Sequence, residues 1–284
     1  MADTPGVSAL IVSFNTCALT LEAIGSVVDE PGVETVVVDN ASLDGSVEAI
    51  ARRFPSVRLT GSRTNLGYAG GINLAAANAR GQNLLVLNSD VRLEAGSLGA
   101  MLELLERYHR AALVGPALRY PDGRAQPSAF KFPGLVQLML DLYPIDRLMD
   151  TRLNGRISAA RPIQIDHPLG ACMLIRRSAW QDVGPFDEGY FMYLEEVDWC
   201  RRARLRGWQV WYQPRAVVIH HGGASTSQQP AAMFAQLWRS RLRYYARFHG
   251  PAYNRAVRAI LRIGLARSRR RGACEVEAVR QLTE

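Results

Sequence analysis

The first 110 residues alternate between short apolar runs and amphipathic stretches. Ser8–Phe14 (SALIVSF) is an unbroken run rich in branched residues, the pattern of a strand buried on both faces. Thr16–Val28 carries apolar positions at helical spacing. The alternation then repeats. Thr35–Val38 reads as a strand ending in Asp39, Asp44–Phe54 as a helix, and Val57–Leu59 as a short strand. Ala69–Ala79 reads as an alanine-rich helix, Leu84–Leu87 as a strand ending in Asn88-Ser89-Asp90, and Glu94–Tyr108 as a long amphipathic helix. Strands separated by helices predict an α/β fold: a mostly parallel sheet with helices on both faces. Crossovers in such sheets are right-handed, and ligands gather at the carboxyl ends of the strands.

The second half is less regular. Val114–Tyr120 precedes a turn signal, Pro121-Asp122-Gly123-Arg124. Residues 126–161 mix prolines, glycines and scattered apolar positions, and read as a variable, partly helical insertion. Ala171–Arg176 reads as a strand, Leu194–Arg206 as a helix, and Gln209–Tyr212 and Ala216–Ile219 as two strands. Phe234, Leu237, Trp238, Leu242, Tyr245 and Phe248 form one helical stripe, and Val257, Ile260, Leu261 and Leu265 a second. These stripes are expected to pack on the preceding domain or on a second copy of the chain, with a lipid surface as the lesser alternative. The division expected is 1–230 as the main domain, with halves 1–120 and 121–230, and 231–284 as a helical extension.

Composition changes this picture in one respect. Of 284 residues, 48% are hydrophobic, enough for a full core, and the formal charge is +8. Twelve arginines against three acidic residues lie in 231–284, so the basicity belongs to the extension. Such a segment suits nucleic acid, anionic lipid or an acidic partner. No apolar run reaches the ~18 residues of a membrane span. Met1–Pro5 carries no basic start before an apolar run, so no secretory signal is expected. Cys17, Cys172, Cys200 and Cys274 form no CxxC pair, which suits a reducing compartment rather than a disulfide or zinc scaffold.

Candidate chemistry falls at strand ends. Asp39 follows an apolar strand and suits a ribose hydroxyl or base N–H. Asp90 follows another and suits Mg2+ or Mn2+. Either can equally cap a helix. The glycine-rich Asn65–Asn73 segment (NLGYAGGIN) opens a helix, whose free N–H groups suit an anion, but it has neither Walker nor dinucleotide spacing, and it reads equally as a turn into a tightly packed helix. Glu195-Glu196-Val197-Asp198-Trp199 is the densest acidic cluster. Neighbouring carboxylates repel, which raises one toward a useful general base. Helical spacing puts Glu195 and Asp198 near one face and Glu196 about 100° away. The competing reading is a helix N-terminus with acids paired to Arg201 and Arg202. His220-His221-Gly222-Gly223 ends the last strand, where one imidazole can join Asp90 on a metal.

In order, VSFNT, VVVDNAS, NLGYAGGIN, LLVLNSD, GACMLIRR, GPFDEGYFMYLEEVDWCRRARLRGW and HHGGAST resemble glycosyltransferase family 2 over about residues 7–227. The nearest branches are the bacterial rhamnosyltransferase-like and galactofuranosyltransferase-like ones. The resemblance implies a GT-A (Rossmann-like) fold, a nucleotide-sugar donor, a divalent metal (Mg2+ or Mn2+) and inversion at the anomeric carbon. By position, it implies Ser13, Asn15 and Asp39 at the nucleotide, with Asn65, Gly67 and Asn73 near the donor. Asn88-Ser89-Asp90 stands in for the family's D-x-D, with Asp90 and His220 on the metal and His221 as the lesser choice. Gly170 and Ala171 are expected to flank sugar and acceptor, with Asp187 at the acceptor entrance. Glu196 is the expected base and Glu195 its competitor; Asp198 is expected to be structural or to orient the acceptor, with Trp199 beside it on the acceptor side. Transfer of rhamnose from dTDP-rhamnose to a cell-envelope glycan or lipid-linked acceptor is the first expectation. A UDP-sugar donor is the runner-up, and a catalytically silent nucleotide-sugar-binding protein the second class. A nucleotidyltransferase ranks lower, because Asn15-Thr16-Cys17 replaces the basic glycine-rich loop expected after the first strand. The expected location is cytoplasmic, with peripheral membrane contact through the basic tail; nucleic acid is the weaker partner.

Overall fold

The computed structural model describes residues 5–149, 151–223 and 228–269. The arginine run Arg267–Arg271 extends past this limit, Cys274 lies outside it, and residues 224–227 of the histidine motif are likewise outside.

The predicted alternation is present. It runs β1 (Val7–Ser13), α1 (Cys17–Gly25), β2 (Val33–Asp39), α2 (Ser46–Arg53), β3 (Arg58–Gly61), α3 (Gly67–Asn78), β4 (Asn83–Asn88), β5 (Val91–Leu93) and α4 (Ser97–Arg107). β6 (Ala111–Arg119) follows. The insertion then forms β7 (Ala125–Gln126), β8 (Ala129–Phe130), α5 (Leu135–Leu142), α6 (Asp146–Met149) and a 3-10 turn (Arg152–Asn154). Next come β9 (Ile163–Ile165), β10 (His167–Pro168), β11 (Cys172–Arg176), α7 (Arg177–Val183), α8 (Glu195–Leu205) and β12 (Gln209–His220). The chain closes with α9 (Pro230–Phe248) and α10 (Pro251–Arg269).

The main sheet has the order β3-β2-β1-β4-β11-β6-β12-β5. The four strands β3, β2, β1 and β4 are parallel, as are β6 and β12. β11 is inserted antiparallel between β4 and β6. Buried strand residues alternate between faces: Leu85 and Leu87 of β4 join the cluster under α1 and α4, Leu84 and Val86 the cluster under α3 and α8.

Three local expectations change. The two strands expected at 209–219 are one, β12, broken in register between Gln213 and Val217, where Pro214 cannot donate a ladder hydrogen bond. α7 was not foreseen, because its seven residues span too little sequence to show a period. β5 was not foreseen either, its three residues pairing only with β12. The C-terminal stripes pack on the chain itself. Trp238, Tyr244 and Tyr245 of α9 and Val257 and Leu261 of α10 share a third core with Leu138 of α5 and Tyr190, Leu194 and Val197.

Candidate active site

Strand register sets the site. Parallel pairing places Ser13 beside Asp39 and Val12 beside Asn88, so three strands end together. The Thr16 hydroxyl donates to Ser89 Oγ at 2.9 Å, and Ser13 Oγ lies 3.1 Å from Thr20 Oγ1. Asp39 is buried. Its Oδ1 accepts the Ser42 N–H at 2.8 Å, while Oδ2 has no protein partner. A buried carboxylate oxygen left open is costly, and a nucleotide hydroxyl or N–H would satisfy it. Asn15, at φ 50°, accepts the Leu43 N–H on Oδ1, and its own N–H donates to Ser42 Oγ. It therefore shapes the loop beside Asp39.

A cavity of about 380 Å3 opens past these strand ends. β4 brings Asn88, and Ser89 and Asp90 follow it. The segment before β11 supplies Gly170 and Ala171, α8 supplies Glu195 and Glu196, and β12 supplies His220. His220 Nε2 lies 3.5 Å from Asp90 Oδ1, both side chains nearly buried. His220 Nδ1 is 3.0 Å from Gln126 Oε1. An amide oxygen accepts, so Nδ1 is the donor and Nε2 is the nitrogen that faces Asp90. An imidazole nitrogen and a carboxylate facing each other are a donor set that a divalent cation could join. His221 is more exposed, 4.0 Å from Glu22. Among the described residues, no group of three or more His, Cys, Asp or Glu gathers as a complete metal cage. A two-ligand site suits a divalent ion whose other ligands are water and phosphate oxygen.

The glutamates enter the cavity through an unusual backbone. Tyr193 and Leu194 are both left-handed, at φ 69° and 67°, immediately before α8. Such conformations cost of order 1–3 kcal/mol each in non-glycine residues. Both Glu195 and Glu196 line the cavity, and Asp198 does not. Glu195 and Asp198, three residues apart on α8, therefore meet different surroundings, the cavity for one and Arg202 and Arg247 for the other. Burial pushes the Glu196 carboxyl up to about 7, against backbone hydrogen bonds at Val197, Gly170 and Leu194 that stabilise its charge. Burial, then repulsion from Glu196, raises Glu195 well above the usual range. One oxygen of each, Oε2, has no protein partner. Gly170 lies against this pair: a Cβ there would sit 3.3 Å from the Glu196 carboxyl carbon.

The remaining expected residues, Asn65, Gly67, Asn73, Asp187, Asp198 and Trp199, do not line the cavity and instead hold the surrounding segments together. Asn65 Oδ1 accepts the Gly67 N–H at 2.9 Å. Asn73 donates to Phe186 O and Glu188 Oε1 and accepts the Phe186 N–H. These contacts fix α3 against the 186–191 segment, and none of the three residues lines the cavity. Asp187 pairs with Arg243 at 2.9 Å and Arg247 at 2.6 Å. Asp198 pairs with Arg202 at 2.7 Å and Arg247 at 3.1 Å. Trp199 is buried, with its indole N–H on Gly184 O.

Sequence reasoning missed Tyr68, Gln126 and Arg241. Tyr68 lines the cavity and donates its hydroxyl to Gly170 O at 3.2 Å. Burial and the nearby Glu195 and Glu196 charges keep that phenol protonated. Its signal was an aromatic inside a glycine-rich segment. Arg241 joins the wall from α9, held by Asp141 at 2.7 Å.

Comparison with known proteins agrees with this architecture. Residues 8–184 match the family model for glycosyl transferase family 2. The chain is 34% identical over 258 residues to the N-acetylglucosaminyl-diphospho-decaprenol L-rhamnosyltransferase of Mycobacterium tuberculosis, covering 85% of this chain and 83% of that one. In fold, it superposes on a mannosyltransferase from Pyrobaculum calidifontis, in complex with GDP-Man and Mn2+, with TM-score 0.60 and 16% identity over 99% of this chain and 80% of that one. It also superposes on GalNAc-T7 with UDP, GalNAc and Mn2+, with TM-score 0.57 and 16% identity over 78% of this chain and 44% of that one. With a GT-A sheet, the matching family model and a relative at this identity over most of its length, the chain belongs to glycosyltransferase family 2 and is a hexosyl-transferring enzyme.

Proposed function

We propose that the protein is an inverting, divalent-metal-dependent rhamnosyltransferase that moves the sugar of dTDP-rhamnose onto a hydroxyl of a lipid-linked cell-envelope glycan. The observation that carries this reading is the meeting of Asp90, His220 and Glu196 in one cavity. The rhamnose and the lipid-linked acceptor rest on the name of the mycobacterial relative.

Asp90 and His220 would hold Mg2+ or Mn2+, which neutralises negative charge gathering on the leaving diphosphate. Asp39 takes a hydrogen bond from the nucleotide on its open oxygen, with Ser13 and Asn15 shaping that end. Tyr68 holds the Gly170 peptide against Glu196. Glu196 accepts the proton of the acceptor hydroxyl as its oxygen bonds to the anomeric carbon. The bond from that carbon to the diphosphate oxygen breaks with its electron pair on the leaving group. One displacement needs one base and no enzyme nucleophile. Glu195, protonated beside an ionised Glu196, spares the site a second charge.

Paired substitutions test the reading. Glu196→Gln lowers kcat by about 10²–10⁴-fold with donor binding intact. Asp90→Ala removes the Mn2+-dependent part of donor binding, read by thermal shift with dTDP-rhamnose and with UDP sugars. Wild-type turnover in Glu196→Gln removes the base. A metal-dependent shift for a UDP sugar alone replaces the donor.

A further inference from the structure

Eight large hydrophobic side chains stand exposed among the described residues: Leu43, Leu66, Val136, Met139, Ile145, Leu153, Leu205 and Ile263. Five of them fall on α5, α10 and the short elements packed against α5. Val136 and Met139 sit three residues apart on α5, hence on one face of that helix. Ile145 lies between α5 and α6, and Leu153 in the 3-10 turn that packs on α5. Ile263 is on α10, whose Gly264 lies against Leu142 of α5. Apolar side chains scattered singly over a surface need no explanation; five in one unit do.

The charge of the two closing helices has one sign. Residues 230–269, the whole of α9 and α10, contain no acidic residue. A groove of about 660 Å3 is walled by Arg239, Arg243, Arg247 and Arg258 with Leu242 and Ala246. Asp187 and Asp198, the acids brought to it from outside, are each already shared between two arginines. In the insertion, Lys131, Arg147, Arg152 and Arg161 are exposed against one exposed acid among the described residues, Asp146, while Asp141 is neutralised by Arg241. Apolar tips among basic side chains match a bilayer interface, where tips enter the acyl boundary and cations meet anionic headgroups. The same unit reaches the active site: Pro133 and Gln137 of the α5 approach, and Leu237 and Arg241 of α9, line the catalytic cavity.

We propose that α5, α6, the 3-10 turn and α10 form a docking face for an anionic lipid bilayer, with Val136, Met139, Ile145 and Leu153 as its inserting edge. The proposal rests on the lipid-linked-acceptor reading and adds to it a surface: the cavity mouth is carried to the membrane by the helix that walls it. The face acts whether or not residues 270–284 also attract headgroups.

Vesicle flotation of the full-length protein, without donor or acceptor, tests it. The vesicles are phosphatidylcholine with and without about a third phosphatidylglycerol. The parent floats with the anionic vesicles. The variant V136S/M139S/I145S/L153S, altered only at exposed positions, binds them at least about tenfold more weakly. Leu205→Ser, exposed on α8, binds like the parent. Equal flotation of the quadruple variant and the parent overturns the proposal, since charge alone would then carry binding. So does a parent that binds duplex DNA but neither vesicle. Donor binding, measured by calorimetry in the same samples, separates the two readings. Lost flotation with intact donor binding supports the face. Absent donor binding in the parent sinks the transferase reading and leaves the flotation result standing by itself.

Discussion

At the smallest scale, two buried glutamates face the cavity. Glu196, the proposed base, is pushed up to about 7 by burial, and a base works only when ionised. kcat/KM should therefore rise as pH increases through about 7, with the rising limb lost in Glu196→Gln; a profile already flat from pH 5 would assign the base elsewhere. Stability runs the other way. Both folded values lie above the ordinary 4.5, so the protonated pair gives its full stability below 4.5 and loses it as pH rises through the raised values. Glu195→Gln should accordingly raise the melting temperature at pH 8 and change it little at pH 5. Calorimetry at both pH values checks the sign. Gln126 acts through its neighbour: it fixes the His220 ring and which nitrogen faces Asp90. Gln126→Leu should weaken Mn2+ binding about 10–100-fold, read by paramagnetic resonance, with the fold intact. Unchanged affinity would leave His220 held by packing alone. Asp90, His220 and Glu196 were legible as residues because each follows or opens a recognisable element. Tyr68 and Gln126 were not, since nothing near them in sequence announces a partner 102 or 94 residues away.

Elements are joined here by close approaches that only small residues allow. At the start of α3, Gly67 has φ +72°, and a Cβ there would stand 2.3 Å from Phe191 O. The next N–H, of Tyr68, donates to that same oxygen at 2.7 Å. Gly67→Ala should destabilise by about 2–4 kcal/mol in urea unfolding, through combined strain and overlap. A change under about 0.5 kcal/mol would mean that the 186–191 segment yields freely. The glycine-rich segment was visible in the sequence, and a tightly packed turn was one of its two readings. The structure realises that packing, with Asn65 and Asn73 engaged in it. The run Ala171–Arg176 was equally readable as a strand, yet its antiparallel insertion between β4 and β6 was not. Direction within a sheet is a property of the pairing, and the strand's own residues do not encode it.

For the whole molecule, the C-terminal helices are part of the machine. Trp238 is almost wholly buried in the third core, while the adjacent Leu237 faces the catalytic cavity. Trp238→Ala should lower stability by about 3–5 kcal/mol, measured by denaturant unfolding, and reduce turnover at temperatures where the protein remains folded. Wild-type turnover in the folded variant would show that α9 walls the cavity without shaping it. No helix among the described residues is long and apolar enough to cross a membrane. By itself the sequence determined the alternation of strands and helices, the acids at strand ends, the amphipathic closing helices and their arginine excess. These are carried by neighbouring residues, through side-chain period and composition. Only the tertiary structure decided that Glu195 turns into the cavity while Asp198 turns to Arg202 and Arg247, that His220 rather than His221 faces Asp90, and that α5 meets α10. Those outcomes depend on left-handed backbone, strand register and contacts between distant segments, which exist only once the chain has closed on itself.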